Sequence, residues 1–327
     1  MTTTRIHAGS PVTVEHVPCP SCGSDDYVAI AAGPDYDHHC CGDQIFTLAQ
    51  CKKCGFAYLN PRPTTDMLPR IYEAEDYICY DFDQKGNSFV QNWRVGAETR
   101  RIKKALEHVT RPIPDLRVCD IGPGDGTTLV AFGQMGVKTE NLYGVDIDQS
   151  IIDKLESKGL RGILSRAEDL NPTEHPEARN FDVVLMLQVI EHVADPRRVM
   201  EVSHEMLRPG GIIWMETPNL AGWDRPFFRK RAWGGYHFPR HWVLFTPRTM
   251  RRMLEEVGFE FVGIWSMSAT FVWIWSINHV LQDRGWTRLA NFFSFNNPLV
   301  AAFFLIFDLI PRSLNKASNM RVIARKK

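Results

Sequence analysis

The stretch Val118-Cys119-Asp120-Ile121-Gly122-Pro123-Gly124-Asp125-Gly126 constrains the fold of this chain more than any other. It reads as a short buried strand that ends in an acid and runs into three alternating glycines. Gly122, Gly124 and Gly126 let the backbone turn sharply and come closer to a ligand than a Cβ would permit. Asp120 is placed to accept a hydrogen bond from a ligand ammonium or hydroxyl. A second strand, Leu142–Val145, runs into Asp146, whose carboxylate can take both hydroxyls of a ribose. These residues alone leave a dinucleotide-binding fold in play, because that fold also pairs a glycine loop with an acid about twenty residues later.

The blocks that follow narrow the choice. Phe181–Met186 has the composition of a buried strand, Glu191-His192-Val193 comes soon after it, and Leu207-Arg208-Pro209-Gly210-Gly211 leads into another strand, Ile212–Glu216. Helical patterns alternate with the strands. Ile102, Ala105, Leu106 and Val109 recur at spacings of three and four within Ala97–Val109, which ends before Pro112 and Pro114. Asp195 as N-cap and Pro196 at the first helical position open a helix carrying Val199, Val202 and Met206. Thr246-Pro247 opens another, with Met250, Leu254 and Val257, that Gly258 closes. Phe259–Met267 supplies a sixth strand and Arg321–Arg325 a seventh. This alternation predicts an α/β architecture, a mostly parallel sheet with helices on both faces and ligands at the carboxyl ends of its strands. In order and spacing, residues 95–265 resemble the class I S-adenosylmethionine (SAM) dependent methyltransferases, whose Rossmann-like, seven-stranded sheet has an antiparallel last strand.

A length of 327 residues allows one large domain and a smaller one. Lys plus Arg and Asp plus Glu number 38 each, so no global field draws the chain to nucleic acid, and no nucleic-acid-binding motif is recognisable. Residues 1–17 hold no apolar run of signal-peptide length, and a cytoplasmic protein is expected. Eight cysteines in a chain of this size point to metal rather than to a disulfide scaffold. Cys19 and Cys22 before Gly23, and Cys51 and Cys54 before Gly55, form two Cys-x-x-Cys knuckles, and four thiolates so paired match the closed tetrahedral site of structural zinc. Cys40 and Cys41, beside His38 and His39, are adjacent and would chelate one ion awkwardly. Past the second knuckle, Asn60-Pro61-Arg62-Pro63-Thr64 and a tyrosine-rich helix start over 71–80 resemble the N-terminal zinc-ribbon module of bacterial methyltransferases associated with cell-surface glycan and glycolipid pathways. The expected layout is a ribbon over 1–66, a helical linker covering the cofactor over 67–114, and a methyltransferase domain over 115–327 with an insertion at 266–318.

That insertion holds Trp273, Trp275, Trp286 and seven phenylalanines against six charged side chains. Leu299–Ile310 is apolar for only about a dozen residues and includes Asp308, short of the roughly 20 that span a bilayer. Two readings stand: a helical cap packed on the domain, or an interfacial helix pair that receives a lipid-linked substrate or rests on the inner face of a membrane.

The resemblance implies a SAM site. Gly122, Gly124 and Gly126 with neighbouring backbone meet the methionine part, and Asp120 lies near its ammonium group. Asp146 holds the ribose hydroxyls, Ile147 lies against adenine, Glu168 meets the adenine amino group, and Gln188 lies under the methionine end. Gln188-Val189-Ile190-Glu191-His192 resembles the Glu-x-x-Glu-His arrangement that binds a divalent ion in some ubiquinone-pathway and RNA-end methyltransferases. Gln188 stands in place of the first carboxylate, and a neutral amide oxygen is a poor substitute for a hard anionic ligand. On the acceptor side, His237 or His241 could act as general base, since an imidazole with an ordinary pKa of about 6.5 is available at neutral pH. Arg240 could hold a phosphate or carboxylate bidentately. The alternative is that Pro239-Arg240-His241 only fixes a loop. Tyr77 or Tyr80 is expected to close over the cofactor. The expected activity is methyl transfer from SAM to oxygen, less readily to nitrogen or carbon, of a sugar, glycolipid or related small acceptor. Alternatives are a quinone or natural-product methyltransferase and, from another class, a SAM-binding scaffold without turnover.

Overall fold

The computed structural model describes residues 9–72, 88–228, 230–294 and 297–327. Seven strands form the central sheet: β1 (Val118–Ile121), β2 (Leu142–Asp146), β3 (Arg161–Leu164), β4 (Phe181–Leu187), β5 (Leu207–Pro218), β6 (Phe259–Met267) and β7 (Asn319–Lys326). Their order is β6-β7-β5-β4-β1-β2-β3. The pairs β1–β2, β2–β3, β1–β4 and β4–β5 are parallel, and the last strand runs antiparallel. Both neighbours of β1 sit in register with it: Asp120 lies opposite Gly144 and Leu185, and Ile121 opposite Val145 and Met186. The chain winds outward from β1 to β3 in one direction and from β4 onward in the other. The reversal leaves a crevice at the carboxyl ends of β1 and β4, where such sheets bind ligands.

The strands are apolar on both faces because helices cover both. Val118, Leu142, Val183, Leu185, Ile212 and Trp214 are buried with Leu129 and Phe132 of the helix Thr127–Gln134 and with Ile151, Ile152 and Leu155 of the helix Gln149–Ser157. Each fully buried large apolar side chain contributes about 1.5–3 kcal/mol. Short acids start two of the helices: Asp148 accepts from the Ser150 amide at 2.8 Å and Asp195 from the Arg198 amide at 3.0 Å. The helix before β1 spans Ser88–Leu106, so it starts earlier and stops sooner than the periodic segment 97–109. Beyond Leu106 the backbone tightens into three-residue turns, with the Val109 amide on the Leu106 carbonyl at 3.0 Å. Strand β5 also starts early, at Leu207, with a register shift before Ile212 that absorbs Pro209 and Gly210.

A second compact unit combines the N-terminal residues up to Asp76 with 218–250 and 265–320. Its sheet is antiparallel, in the order Val243–Leu244, Ala57–Leu59, Phe46–Cys51, Tyr27–Gly33. The segment after β5 thus adds a strand to the sheet that carries the two cysteine knuckles. The insertion is a set of helices, Thr270–Asp283, Thr287–Phe292, Pro298–Phe307 and Leu309–Ser313. Trp273, Ile274, Val300 and Phe304 form its core, with Trp223, Phe228 and Phe307 packed around them. The lone acid of its apolar stretch, Asp308, is buried and accepts from the Ala269 amide at 2.7 Å. Among the described residues no helix is long and apolar enough to cross a membrane.

Candidate functional site

Strand β1 delivers Asp120 to the crevice, and the turn after it is held by backbone that favours glycine: Gly122, Gly124 and Gly126 have φ of +70°, +55° and +74°. A Cβ at Gly122 would stand 2.5 Å from Val189 Cγ2. Asp120 is nearly inaccessible, and its Oδ1 has no hydrogen-bond partner. Burial pushes its pKa up to about 8; the Glu98 carboxylate adds to the rise and the Arg101 guanidinium opposes it. Arg101 is itself clamped between Glu98 and Glu216, and Arg321 donates to Glu216 at 2.8 Å. A buried, unsatisfied acceptor costs about 1–3 kcal/mol, so a ligand that brings a cationic donor to Oδ1 gains what the apoprotein lacks.

Asp146 ends β2, accepts from the Asp148 amide at 3.0 Å, and has its pKa raised by burial. Ile147 beside it is 62% exposed and offers an apolar face. Gln188, just past β4, holds φ of +61°, a region that non-glycine residues rarely occupy and that recurs at functional sites; its amide donates to the Glu216 carbonyl at 2.8 Å. Glu168 is engaged within the chain: its Oε1 accepts from the Ala194 amide at 2.9 Å, which ties down the loop after β4. Glu191 is fully buried, accepts from Thr217 Oγ1 at 2.9 Å, and burial pushes its pKa up to about 8.

In the other unit, Cys19, Cys22, Cys51 and Cys54 bring their sulfurs within 4.8 Å of one another, with Cys19–Cys54 at 3.5 Å and Cys22–Cys51 at 3.6 Å. A tetrahedral zinc ion with bonds of about 2.3 Å sets its sulfurs about 3.8 Å apart, so the spacing fits. The knuckle glycines Gly23 and Gly55 have φ of +69° and +74°, and their amides close turns on the Cys19 and Cys51 carbonyls, each at 2.8 Å. Asp35, Cys40 and Cys41 also cluster, but Asp35 Oδ1 receives Arg240 at 3.0 Å and Oδ2 receives the Cys40 amide at 3.0 Å.

Asp37 bridges two imidazoles, His237 Nδ1 on Oδ2 at 2.8 Å and His279 Nε2 on Oδ1 at 2.9 Å. Although burial opposes it, the two histidines hold the Asp37 carboxyl well below the usual range. Trp275 stacks on His237 at 5.4 Å and Tyr36 on His279 at 4.5 Å. His237 is thus held at Nδ1 by Asp37 and across its ring face by Trp275, and Nε2 is the ring nitrogen that Asp37 does not engage. His241 donates from Nδ1 to the Gly235 carbonyl at 2.9 Å. Of the two sequence readings of Arg240, anion binder or loop fixer, the structure favours the second: it is fully buried and committed to Asp35 and to the Ile71 carbonyl, the latter at 2.8 Å. Tyr77 and Tyr80 lie outside the described residues. The sequence reading missed Asp37 and His279. An acidic and histidine-rich run, Asp35-Tyr36-Asp37-His38-His39, between the knuckles was the available signal.

Strand order, glycine turn and the two strand-end acids together define a Rossmann-like methyltransferase domain. Residues 93–263 match the family described as a methyltransferase domain, and the chain belongs to that family. It is 34% identical over 111 residues to a ubiquinone biosynthesis O-methyltransferase of Rhizobium etli, covering 33% of this chain and 44% of that protein. It is 30% identical over 160 residues to the enzyme of the same name from Bartonella tribocorum, covering 44% of this chain and 60% of that protein. The matches thus span roughly half the length of these relatives. Among solved structures, it is similar to the magnesium protoporphyrin IX methyltransferase of Synechocystis with bound S-adenosylhomocysteine, at 15% identity and a TM-score of 0.44, over 80% of this chain and 94% of that one. The residues present fit SAM, the cofactor of such domains. The unsatisfied Asp120 Oδ1 suits an ammonium, Asp146 suits a ribose diol, and the exposed Ile147 suits an adenine face.

Proposed function

We propose that this chain transfers a methyl group from SAM to a hydroxyl oxygen of a quinone-type small molecule, with His237 taking the acceptor's proton. The observation that carries methyl transfer is the unsatisfied Asp120 oxygen at the end of β1, above a turn of three left-handed glycines. The oxygen acceptor is supported by the relatives named ubiquinone biosynthesis O-methyltransferase. SAM supplies a methyl group on a sulfonium, and the new oxygen–carbon bond forms as the sulfur–carbon bond breaks. The acceptor's proton must then leave its oxygen, and His237, its Nδ1 held by Asp37, is the base proposed to receive it. Gln188, a neutral amide where the metal-binding arrangement has its first carboxylate, counts against a metal-assisted variant. The sugar or glycolipid acceptor first expected from the sequence retains one favouring observation, the exposed apolar helices of the insertion. The four ribbon thiols hold a structural zinc ion in this reading, closed to chemistry.

The test is incubation with methyl-labelled SAM and separate panels of hydroxylated quinone precursors and glycolipid extracts. Label in the quinone panel is expected, with the His237→Ala and Asp37→Asn variants at least about tenfold slower while SAM affinity stays constant. Label only in glycolipid would move the second reading to the front. SAM binding without turnover on any acceptor would leave a scaffold.

A further inference from the structure

The helices Pro298–Phe307 and Leu309–Ser313 carry two apolar ridges rather than one. Val300, Phe304 and Pro311 point inward and are buried, with Val300 and Phe304 stacked onto the Trp273 core. At the complementary positions stand Leu299, Phe303, Ile306, Ile310 and Leu314, and all are exposed; Leu299 is 77%, Phe303 61% and Ile306 69% accessible. A helical cap on a water-facing surface would carry polar residues along that second ridge. Here no charged residue occurs from Leu289 to Phe307. Exposed Leu289, Phe292 and Trp286 extend the same character onto the neighbouring helix.

Basic side chains outnumber acidic ones on the surface of this segment. Arg284, Arg288, Arg312 and Lys316 are exposed, whereas the acid within the same stretch, Asp308, is buried at a helix cap. The other acid of the segment, Asp283, is exposed and pairs with Arg231 at 3.1 Å. Two copies of this chain meeting through the ridge would press cationic rims together, whereas an anionic lipid surface complements both the ridge and the rim. None of the described helices can span a bilayer. An element of this kind lies in the plane of the headgroups, with its apolar side chains in the acyl boundary and its basic side chains on lipid phosphates.

We propose that the face formed by Leu299, Phe303, Ile306, Ile310 and Leu314 docks the protein peripherally on an anionic lipid bilayer. This inference is independent of the methyl acceptor, and its readout is independent of activity. The experiment sediments the full chain with phosphatidylcholine vesicles made with and without phosphatidylglycerol. Binding to the phosphatidylglycerol vesicles is expected, weakened by salt. The double substitution Phe303→Ser with Ile306→Ser should lower it at least about tenfold, with helical circular dichroism and melting retained. Arg312→Gln and Lys316→Gln, both at exposed positions, should each weaken it about fivefold, and they decide the matter if the serine variant folds poorly. A folded wild-type chain that pellets with neither vesicle would overturn the proposal. So would a soluble dimer, indifferent to vesicles, that the same serine substitutions turn into monomers.

Discussion

Asp120 shows how a single side chain links the apoprotein's cost to ligand affinity. Burial holds its proton up to a pKa of about 8 in the unliganded chain, and an ammonium set against Oδ1 favours the ionised form. Binding of SAM therefore expels a proton below that pH. The affinity should rise by roughly tenfold per pH unit between pH 6 and 8, and stop rising where the ligand's own α-amino group, with a pKa of about 7.7–8.0, begins to lose its charge. Asp120→Asn removes both the charge and the titration. A charge-assisted hydrogen bond of about 1.5–3 kcal/mol translates into SAM binding weaker by roughly 10- to 150-fold at pH 8, with a flat pH profile. Isothermal titration calorimetry in buffers of different ionisation enthalpy measures the affinity and the released proton together. A wild-type chain that releases no proton at pH 7 would separate Asp120 from the ammonium. Asp120 was legible in the sequence because strand, acid and glycines are contiguous, so local chemistry alone marks it. The pairing of Asp37 with His279, 242 residues apart, was not, since nothing in either neighbourhood names the other.

At the scale of elements, the strand–helix alternation was readable where a strand is a short apolar run or a helix carries its own start signal, as Asp195 with Pro196 does; Arg161–Leu164, largely exposed at the sheet edge, went unread. The edges were less readable. Leu207 joins β5 despite Pro209 and Gly210, because a bulge lets the strand pair with β4 on both sides of them. The composition of the knuckle-bearing sheet was hidden for a different reason. The two-residue strand Val243–Leu244 is too short to show alternation, and its partner Ala57–Leu59 lies far upstream. The knuckles themselves were plain, and they carry a testable consequence. Four sulfurs gathered within 4.8 Å are costly unless a cation holds them, for thiolates repel and thiols hydrogen-bond weakly. Zinc bound there should be one ion per chain by plasma emission spectrometry. Cys51→Ser should lose it and destabilise the ribbon sheet, since Cys51 lies within the strand Phe46–Cys51, while SAM affinity, governed by the other unit, changes little. Purified chain free of zinc yet with a native melting profile would defeat the metal assignment.

For the molecule as a whole, the buried carboxyls set how stability follows pH. Asp120 and Glu191 both have pKa values pushed up to about 8 by burial, against ordinary values near 4. The folded state therefore keeps two protons that the unfolded state releases, and stability falls as pH rises from about 4 through about 8, by up to about 1.4 kcal/mol per pH unit for each group. His38 works the other way. Burial lowers its pKa to about 4, so the unfolded state gains a proton there and stability rises with pH, but only up to about 6.5, where the free imidazole loses its charge. Between pH 6.5 and 8 the two carboxyls act without that opposition. The unliganded protein should lose melting temperature steadily across this window. Saturating S-adenosylhomocysteine, which carries the same ammonium group, should flatten the slope by the share of Asp120 and leave that of Glu191. Asp120→Asn should show the flattened slope without ligand, and added ligand should not change it further. Melts followed by intrinsic fluorescence at half-unit steps of pH distinguish these cases. A wild-type melting temperature that is constant or rising over pH 6.5–8 would mean that the carboxyls find partners in solution, and the link between the unsatisfied oxygen and the cofactor's ammonium would go with it.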